Sequence, residues 1–420
     1  MLHLRYCKFM SQFDVIIIGA GLNGLATALA VGGRTCRMPL RVALVDRADP
    51  HGFAVTAHDS RCSALTLATQ RMLRALGAWG AMAPRAQEMR SVIVSDSNTN
   101  AFAETRKPLL SFLDEGKEAP AVFLENQIIF QGLLGELDQS PGVTLYPNAS
   151  IQAFHFGPGL ARVELASGQS LKANLIVGAD GRGSPARVAA GLKYDGWDYD
   201  QSAITLTVGH ELPHDGRAEE HFNSHGVFAI LPLSGNRSSL VWTEPHLKAK
   251  ALVALPDAEF LKEMQQRFGT QRGALQLLSH RHAYPLIMRL ASSFAGQRLA
   301  LIGDAAHALH PLAGLGLNMG FKDTAALSEC VMEAARLGAD IGGASVLEGF
   351  IRWRRFDTYA TAAMMDGMNR LFANSNESLR LLRHASLRLV DQFSPIKHQL
   401  QKEAAGLTGN LPRLMRGLAA

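Results

Sequence analysis

Residues 13–24 read Phe13-Asp14-Val15-Ile16-Ile17-Ile18-Gly19-Ala20-Gly21-Leu22-Asn23-Gly24, a β-branched run that leads straight into a glycine-rich turn. Such a run fills a parallel strand covered on both faces, and the Ala/Leu-rich stretch from Leu22 to Val31 predicts the helix behind it. Val42-Ala43-Leu44-Val45-Asp46 predicts the next strand. In a strand–turn–helix–strand unit the chain reversal needs glycines: Gly19 opens the turn, Gly21 lets the backbone approach a pyrophosphate, and Gly24 lets the helix pack closely. Asp46 ends the second strand about 20 residues past the last glycine, where a carboxylate bonds a ribose hydroxyl. The unit predicts an α/β domain that binds a dinucleotide.

Two more glycine motifs follow in order. Gly178-Ala179-Asp180-Gly181 comes after a predicted strand at 171–177. Gly303-Asp304-Ala305-Ala306-His307 comes after one at 298–302 and runs on into His310-Pro311-Leu312-Ala313-Gly314-Leu315-Gly316-Leu317-Asn318. Three strands then aim loops at one place, giving a second and third contact to one large cofactor, and the order of the three motifs points to a flavin. Asp304 can accept hydrogen bonds from the hydroxyls of a ribityl chain. Gly314-Leu315-Gly316 permits an unusual path into a helix starting near Leu317, whose exposed amides favour the negative charge of a reduced flavin ring.

Between these loops the pattern changes. Ala203 to Val208, Gly226 to Leu233 and Ser238 to Thr243 alternate or run apolar, with Gly235-Asn236 as a hairpin signal. They predict an antiparallel sheet inserted in the first domain, with Phe228, Leu231 and Trp242 as candidates to wall a substrate pocket and plain sheet core as the competing reading. From Asp323 to Ala420 the chain reads as mainly helical. Met364, Met365, Met368, Leu371 and Phe372 fall at helical spacing, the mark of adaptable core. Arg352, Arg354, Arg355, Arg370, Arg380, Arg383 and Arg388 nearby suggest a face for anionic lipid. The expected organisation is a Rossmann-like FAD-binding domain in three parts (10–90, 126–195, 291–345), an interleaved antiparallel-sheet substrate domain (91–125, 196–290) and a helical C-terminal region (346–420).

At 420 residues, 47% hydrophobic and 19% charged, the chain is globular with a sizeable core. Its net charge of +5 suits an anionic partner such as a phosphorylated nucleotide or a lipid surface as well as an ordinary solvated face, and no nucleic-acid motif accompanies it. Four scattered cysteines (Cys7, Cys36, Cys62, Cys330) form no CxxC pair, which argues against a disulfide scaffold or zinc ribbon. No apolar run approaches the roughly 18 to 20 residues that cross a bilayer. Residues 1–9 make a poor secretory signal, and Met10 offers an alternative start. The expected location is the cytoplasm, with any membrane contact peripheral and on the inner face. His307 and His310 have no Cys, Asp or Glu cluster to complete a metal sphere, and Ser184 fits the second glycine motif better than a hydrolase nucleophile.

With these motifs the chain from residue 13 on resembles the class A flavoprotein aromatic hydroxylases, and within them the ubiquinone-biosynthesis hydroxylases of the Ubi type. The resemblance extends to Asp59-Ser60-Arg61-Cys62-Ser63-Ala64-Leu65, Gly196-Trp197-Asp198-Tyr199-Asp200-Gln201, the run from Phe228 to Ser239 with Val241-Trp242-Thr243-Glu244, and Tyr284-Pro285-Leu286. It implies that Gly19, Gly21, Gly24 and Asp46 hold the adenosine half of FAD. Arg61 would lie along the pyrophosphate or ribityl region, and Gln127, Gly303 and Asp304 at the ribityl chain. Asp180 and Gly181 would serve both FAD and NAD(P)H, while Pro311, Gly314, Leu315, Gly316, Leu317 and Asn318 would line the flavin ring. NAD(P)H would dock without a domain of its own, and a flavin hydroperoxide would pass oxygen to a polyprenylated phenol. A membrane surface and a quinone-synthesis assembly are the partners implied. Family members usually carry glutamine where this chain has Leu315, a change that bears on oxygen reactivity and flavin mobility. A small soluble phenol as substrate, or a non-catalytic place in a quinone-synthesis assembly, are the competing readings. No acid–base residue for the phenol stands out in the sequence.

Overall fold

A computed structural model describes residues 10–52, 60–96, 108–113, 118–223, 225–310, 314, 316–372 and 402–420. At its centre is a six-stranded sheet in the order Ala295–Gly296, Leu299–Leu301, Leu175–Gly178, Val15–Ile18, Val42–Val45, Val143–Tyr146. All neighbours are parallel except the first pair. Val15, Ile16, Ile17 and Ile18 are all buried, as a strand covered on both faces requires. Helix Leu22–Gly32 is buried almost all round because it lies between helices Asn126–Leu137 and Gly316–Arg336.

The register positions the site. Gly178 lies level with both Ile18 and Leu301, and Ile18 with Val45. The chain therefore leaves all four strands at one edge of the sheet, the carboxyl end where open α/β sheets bind ligands. The stretch expected as one strand at 171–177 is two. Ser170–Ala173 belongs to a four-stranded sheet with Met10–Gln12, Ala161–Leu165 and Ile151–Phe156. The chain changes sheets at Asn174, whose amide and that of Leu175 both donate to the Asp14 carbonyl.

The second large sheet runs His307–Ala308, His282–Ala291, Tyr194–His210, Arg237–Pro245, Gly226–Leu233, Arg217–Asn223, Ser91–Asp96, Pro108–Leu113, with Leu275–Leu277 also on Tyr194–His210. Its pairs are antiparallel apart from Arg217–Asn223 with Ser91–Asp96. The hairpin turns at Gly235, whose φ of +80° is in glycine's range. A smaller sheet joins Cys62–Thr66, Ala121–Glu125 and Gln87–Glu88.

Strand alternation separates the expected pocket residues. Phe228 and Trp242 pair across strands and face outward into a core with Phe260, Met264 and Phe268 of helix Asp257–Phe268. They are sheet core, so the expectation that they wall a pocket is corrected. Leu231, three residues on from Phe228, lies on the opposite face. That face carries Val227, Ala229 and Val241 and packs against Met365, Met368, Leu371 and Phe372 of helix Ala344–Phe372, with Phe222 and Phe372 stacked at 4.0 Å.

Two helices dominate the described C-terminal region, Gly316–Arg336 and Ala344–Phe372. The methionine stripe splits: Met365 is core and Met364 is 41% exposed. Arg354 is 1% exposed and paired internally, so it leaves the expected lipid-facing set. Arg380, Arg383 and Arg388 lie outside the described residues. Among those described, no helix is long and apolar enough to cross a membrane.

Candidate functional site

The first loop is built by exclusion. A Cβ on Gly19, at φ +99°, would overlap the Ala179 carbonyl of the second motif, and one on Gly24 would collide with the Gly19 carbonyl. Around Gly21 there is open space, with nothing within 4 Å of where its Cβ would be. Gly21 caps helix Leu22–Gly32 without a side-chain hydrogen bond, so the first-turn amides remain available to a phosphate. Asp46 stands at the rim of this turn, accepting from the Ala20 amide at 2.6 Å and the Ala48 amide at 2.8 Å.

Asn23 interlocks the first and third motifs. A Cβ on either Gly303 or Gly320 would overlap its side-chain amide, so both glycines make room for it. Tyr194 braces the third motif: its hydroxyl donates to the carbonyls of Asp304 (2.6 Å) and Ala305 (3.0 Å). The Arg187 guanidinium lies 3.7 Å over the Tyr194 ring. Burial pushes the Tyr194 phenol up to about 12, so it stays a donor at physiological pH. The carboxylate of Asp304 is half-exposed, 3.4 Å from Arg182, and open to a polyol. Asp180 accepts from the Ala186 amide through one oxygen, while the other is buried and unpartnered among the described residues. Burial raises its carboxyl above the usual range.

Beneath the third motif lies a charged cluster that the sequence reading missed. One oxygen of buried Asp323 accepts from the Gly303 amide (3.0 Å) and pairs with His307 Nε2 (2.6 Å), while the other accepts from Arg354 Nε (2.7 Å). Arg354 also reaches Asp357, which pairs with Lys322 at 2.7 Å. Burial alone would raise the Asp323 carboxyl, but the charges and hydrogen bonds of His307 and Arg354 outweigh it and hold it below the usual range. His307 is thereby a structural partner of Asp323. Among the described residues no group of three His, Cys, Asp or Glu could hold a metal. No sequence pattern signals the cluster, because its members come from strand His307–Ala308 and two separate helices.

Asn318 spends its side chain on the protein. Its Oδ1 accepts from the Thr66 amide and Thr69 Oγ1, and its Nδ2 donates to the carbonyls of Ala64 (2.6 Å) and Gly314 (3.3 Å). It ties strand Cys62–Thr66 to the turn at Gly314, where φ is +61°. Helix Gly316–Arg336 begins one residue before Leu317. Pro311 and Leu315 lie outside the described residues, and Leu317 is half-buried. Arg61 is exposed, its guanidinium 5.4 Å from the centre of the Tyr284 ring. Gln127 is half-buried in the first turn of helix Asn126–Leu137. Its neighbour Asn126 accepts from Ser63 Oγ, joining that helix to strand Cys62–Thr66.

These residues fit FAD: an open glycine cradle at a helix start, a carboxylate rim at Asp46, a half-exposed Asp304 beyond it and an orphaned buried oxygen on Asp180. Residues 12–340 match the FAD binding domain family, and residues 279–407 match the squalene epoxidase family. The chain is 38% identical to the ubiquinone hydroxylase UbiL of Rhodospirillum rubrum over 411 residues, covering 96% of this chain and 93% of that protein. It is 31% identical to the 3-demethoxyubiquinol 3-hydroxylase of Escherichia coli, over 94% of this chain and 98% of that one. Its fold is similar to that of p-nitrophenol 4-monooxygenase from Pseudomonas putida, with a TM-score of 0.77 at 19% identity over 96% of this chain and 100% of that one. The fold and site define a flavoprotein monooxygenase with FAD as its cofactor. The chain belongs to the class A FAD-dependent hydroxylases of the Ubi type.

Proposed function

We propose that this enzyme uses NAD(P)H and molecular oxygen to hydroxylate the aromatic ring of a polyprenylated ubiquinone precursor. The observation that carries the reading is the likeness to UbiL over nearly the whole of both chains, in a sequence that carries all three glycine motifs. When bound, FAD supplies hydride acceptance and oxygen activation. Everything else falls to the chain. Gly19, Gly21, Gly24 and Asp46 hold the adenosine half, and Asp304, Arg61 and Gln127 lie along the ribityl side. The Asp323 cluster fixes the Gly303 turn, and Gly314, Gly316 and Leu317 shape the turn beside the ring. Keeping water from the reacting ring is the task of the apolar layer between the large sheet and helix Ala344–Phe372.

A lipid substrate calls for contact with a bilayer surface, and one stripe of helix Ala344–Phe372 suits it. Arg352, Arg355 and Arg370 are exposed there beside Phe356 (83% exposed) and Tyr359, while Glu348 sits 3.9 Å from Arg352 and Asp366 is half-buried and paired with Arg370. Basic and aromatic side chains on one helix face favour an anionic interface.

Mass spectrometry of quinone-pathway lipids tests the function, in cells lacking the gene and rescued with wild type or Asp304→Ala. Wild type is expected to restore the quinone, with Asp304→Ala at equal level leaving a precursor short of one or more oxygens. If both restore it, a non-catalytic role in an assembly replaces this reading. If the precursor pool never changes, a soluble phenol does.

A further inference from the structure

Five histidines are buried among the described residues, and four have partners. His210 bonds the Leu212 carbonyl and Ser238, His214 the Leu233 carbonyl and the Gly216 amide, His221 bonds Ser95 and Glu219, and His307 pairs with Asp323. His310 is 2% exposed, and neither ring nitrogen has a partner among the described residues. A buried polar group left unpaired costs about 1 to 3 kcal/mol, so a group of matching chemistry belongs beside it.

The surroundings say which chemistry. His310 lies between strand His307–Ala308 and the turn at Gly314, within the third motif. Its ring meets Tyr199 edge to face at 5.1 Å. Tyr199 is held from the other side: its hydroxyl donates to Asp366 at 2.9 Å, and Asp366 pairs with Arg370 at 2.8 Å. Tyr199 and Leu309 pack on the apolar cluster of Met288, Leu290 and Ala362. Burial holds the His310 imidazole down to about 4, against the opposing charge of Asp366, so the ring is neutral and offers one acceptor and one N–H donor. Apolar side chains on one side and a neutral imidazole with one acceptor and one donor suit a phenol, a flat ring bearing one O–H.

We propose that His310 receives the ring hydroxyl of the phenolic substrate, one imidazole nitrogen accepting the O–H hydrogen bond, and that Tyr199, fixed through Asp366, positions the imidazole. The assignment rests on the aromatic hydroxylation proposed above and supplies the substrate-binding polar residue that the sequence left open.

The test uses flavin-loaded protein and two ligands, a phenolic precursor analogue with a short prenyl tail and its methyl ether, with binding followed through the flavin absorbance. Wild type is expected to bind the phenol about tenfold or more tightly than the ether, as one buried hydrogen bond allows. His310→Leu is expected to lose that preference and about tenfold to a hundredfold in kcat/KM. Its FAD content and Tm should hold, because an apolar group replaces an unpaired polar one. His310→Gln, which keeps an acceptor, is expected to recover part of the preference, and it decides the matter if the Leu variant loses FAD. A phenol preference unchanged in His310→Leu, or no greater in His310→Gln than in a folded His310→Leu, overturns the assignment. Wild type that hydroxylates no phenolic precursor overturns the underlying function instead, whereas active wild type whose Leu variant keeps the preference overturns this assignment alone.

Discussion

Gly24 shows how little room the cofactor loop leaves: one added methyl group would meet the carbonyl of Gly19, itself pressed against Ala179. Gly24→Ala is expected to destabilise the fold by about 2–3 kcal/mol through overpacking and to empty the flavin site, read by Tm and FAD content. Asp323 acts by charge. Asp323→Asn leaves Arg354 buried with only Asp357 as counter-charge, and about 3–5 kcal/mol of stability is expected to go with it, measured by urea unfolding. The glycines were legible because backbone conformation and close approach dictate the residue. Asn23, Tyr194 and Asp323 were not, because each acts on a partner brought near only by folding.

At the scale of elements, helix Ala344–Phe372 covers the inner face of the large sheet. Phe372→Ala removes the ring stacked on Phe222 and is expected to cost about 3–5 kcal/mol, with faster proteolysis near the end of that helix. Strand Arg217–Asn223 carries an acid-sensitive joint. Burial would raise the Glu219 carboxyl, but His221, Arg272 and Arg217 hold it down to about 2. A folded value below the unfolded one, about 4.3, means stability that is present above the unfolded value and lost as pH falls through the folded one. Unfolding free energy is therefore expected to drop between about pH 4.3 and 2, and Glu219→Gln to flatten that slope. Strand positions were legible from the apolar and alternating runs, but the sequence reading put Phe228 and Leu231 together as pocket candidates, and the structure set them on opposite faces. Which face would receive helix Ala344–Phe372 was not, because both faces of strand Gly226–Leu233 are apolar.

For the molecule as a whole, helix Ala344–Phe372 turns its basic aromatic stripe outward and Arg354 inward, onto the Asp323 that holds the Gly303 turn. Phe356→Glu with Arg355→Glu is expected to reduce flotation with anionic vesicles at least tenfold, while turnover of a short-tailed analogue in detergent stays within twofold. Equal flotation of the variant and wild type would remove the lipid reading of this face.

By itself, the sequence determined the nucleotide fold, the flavin and the order of the three loops, because strand patterning and glycine geometry are local constraints written into consecutive residues. It also determined the family, through motifs whose spacing reflects that fold. Only the tertiary structure decided that Phe228 and Trp242 face away from the inner layer, that Arg354 is a buried partner of Asp323, and that His310, alone among the described buried histidines, has no hydrogen-bond partner among the described residues. Burial and pairing join groups far apart in the chain, and no local pattern encodes which of them meet.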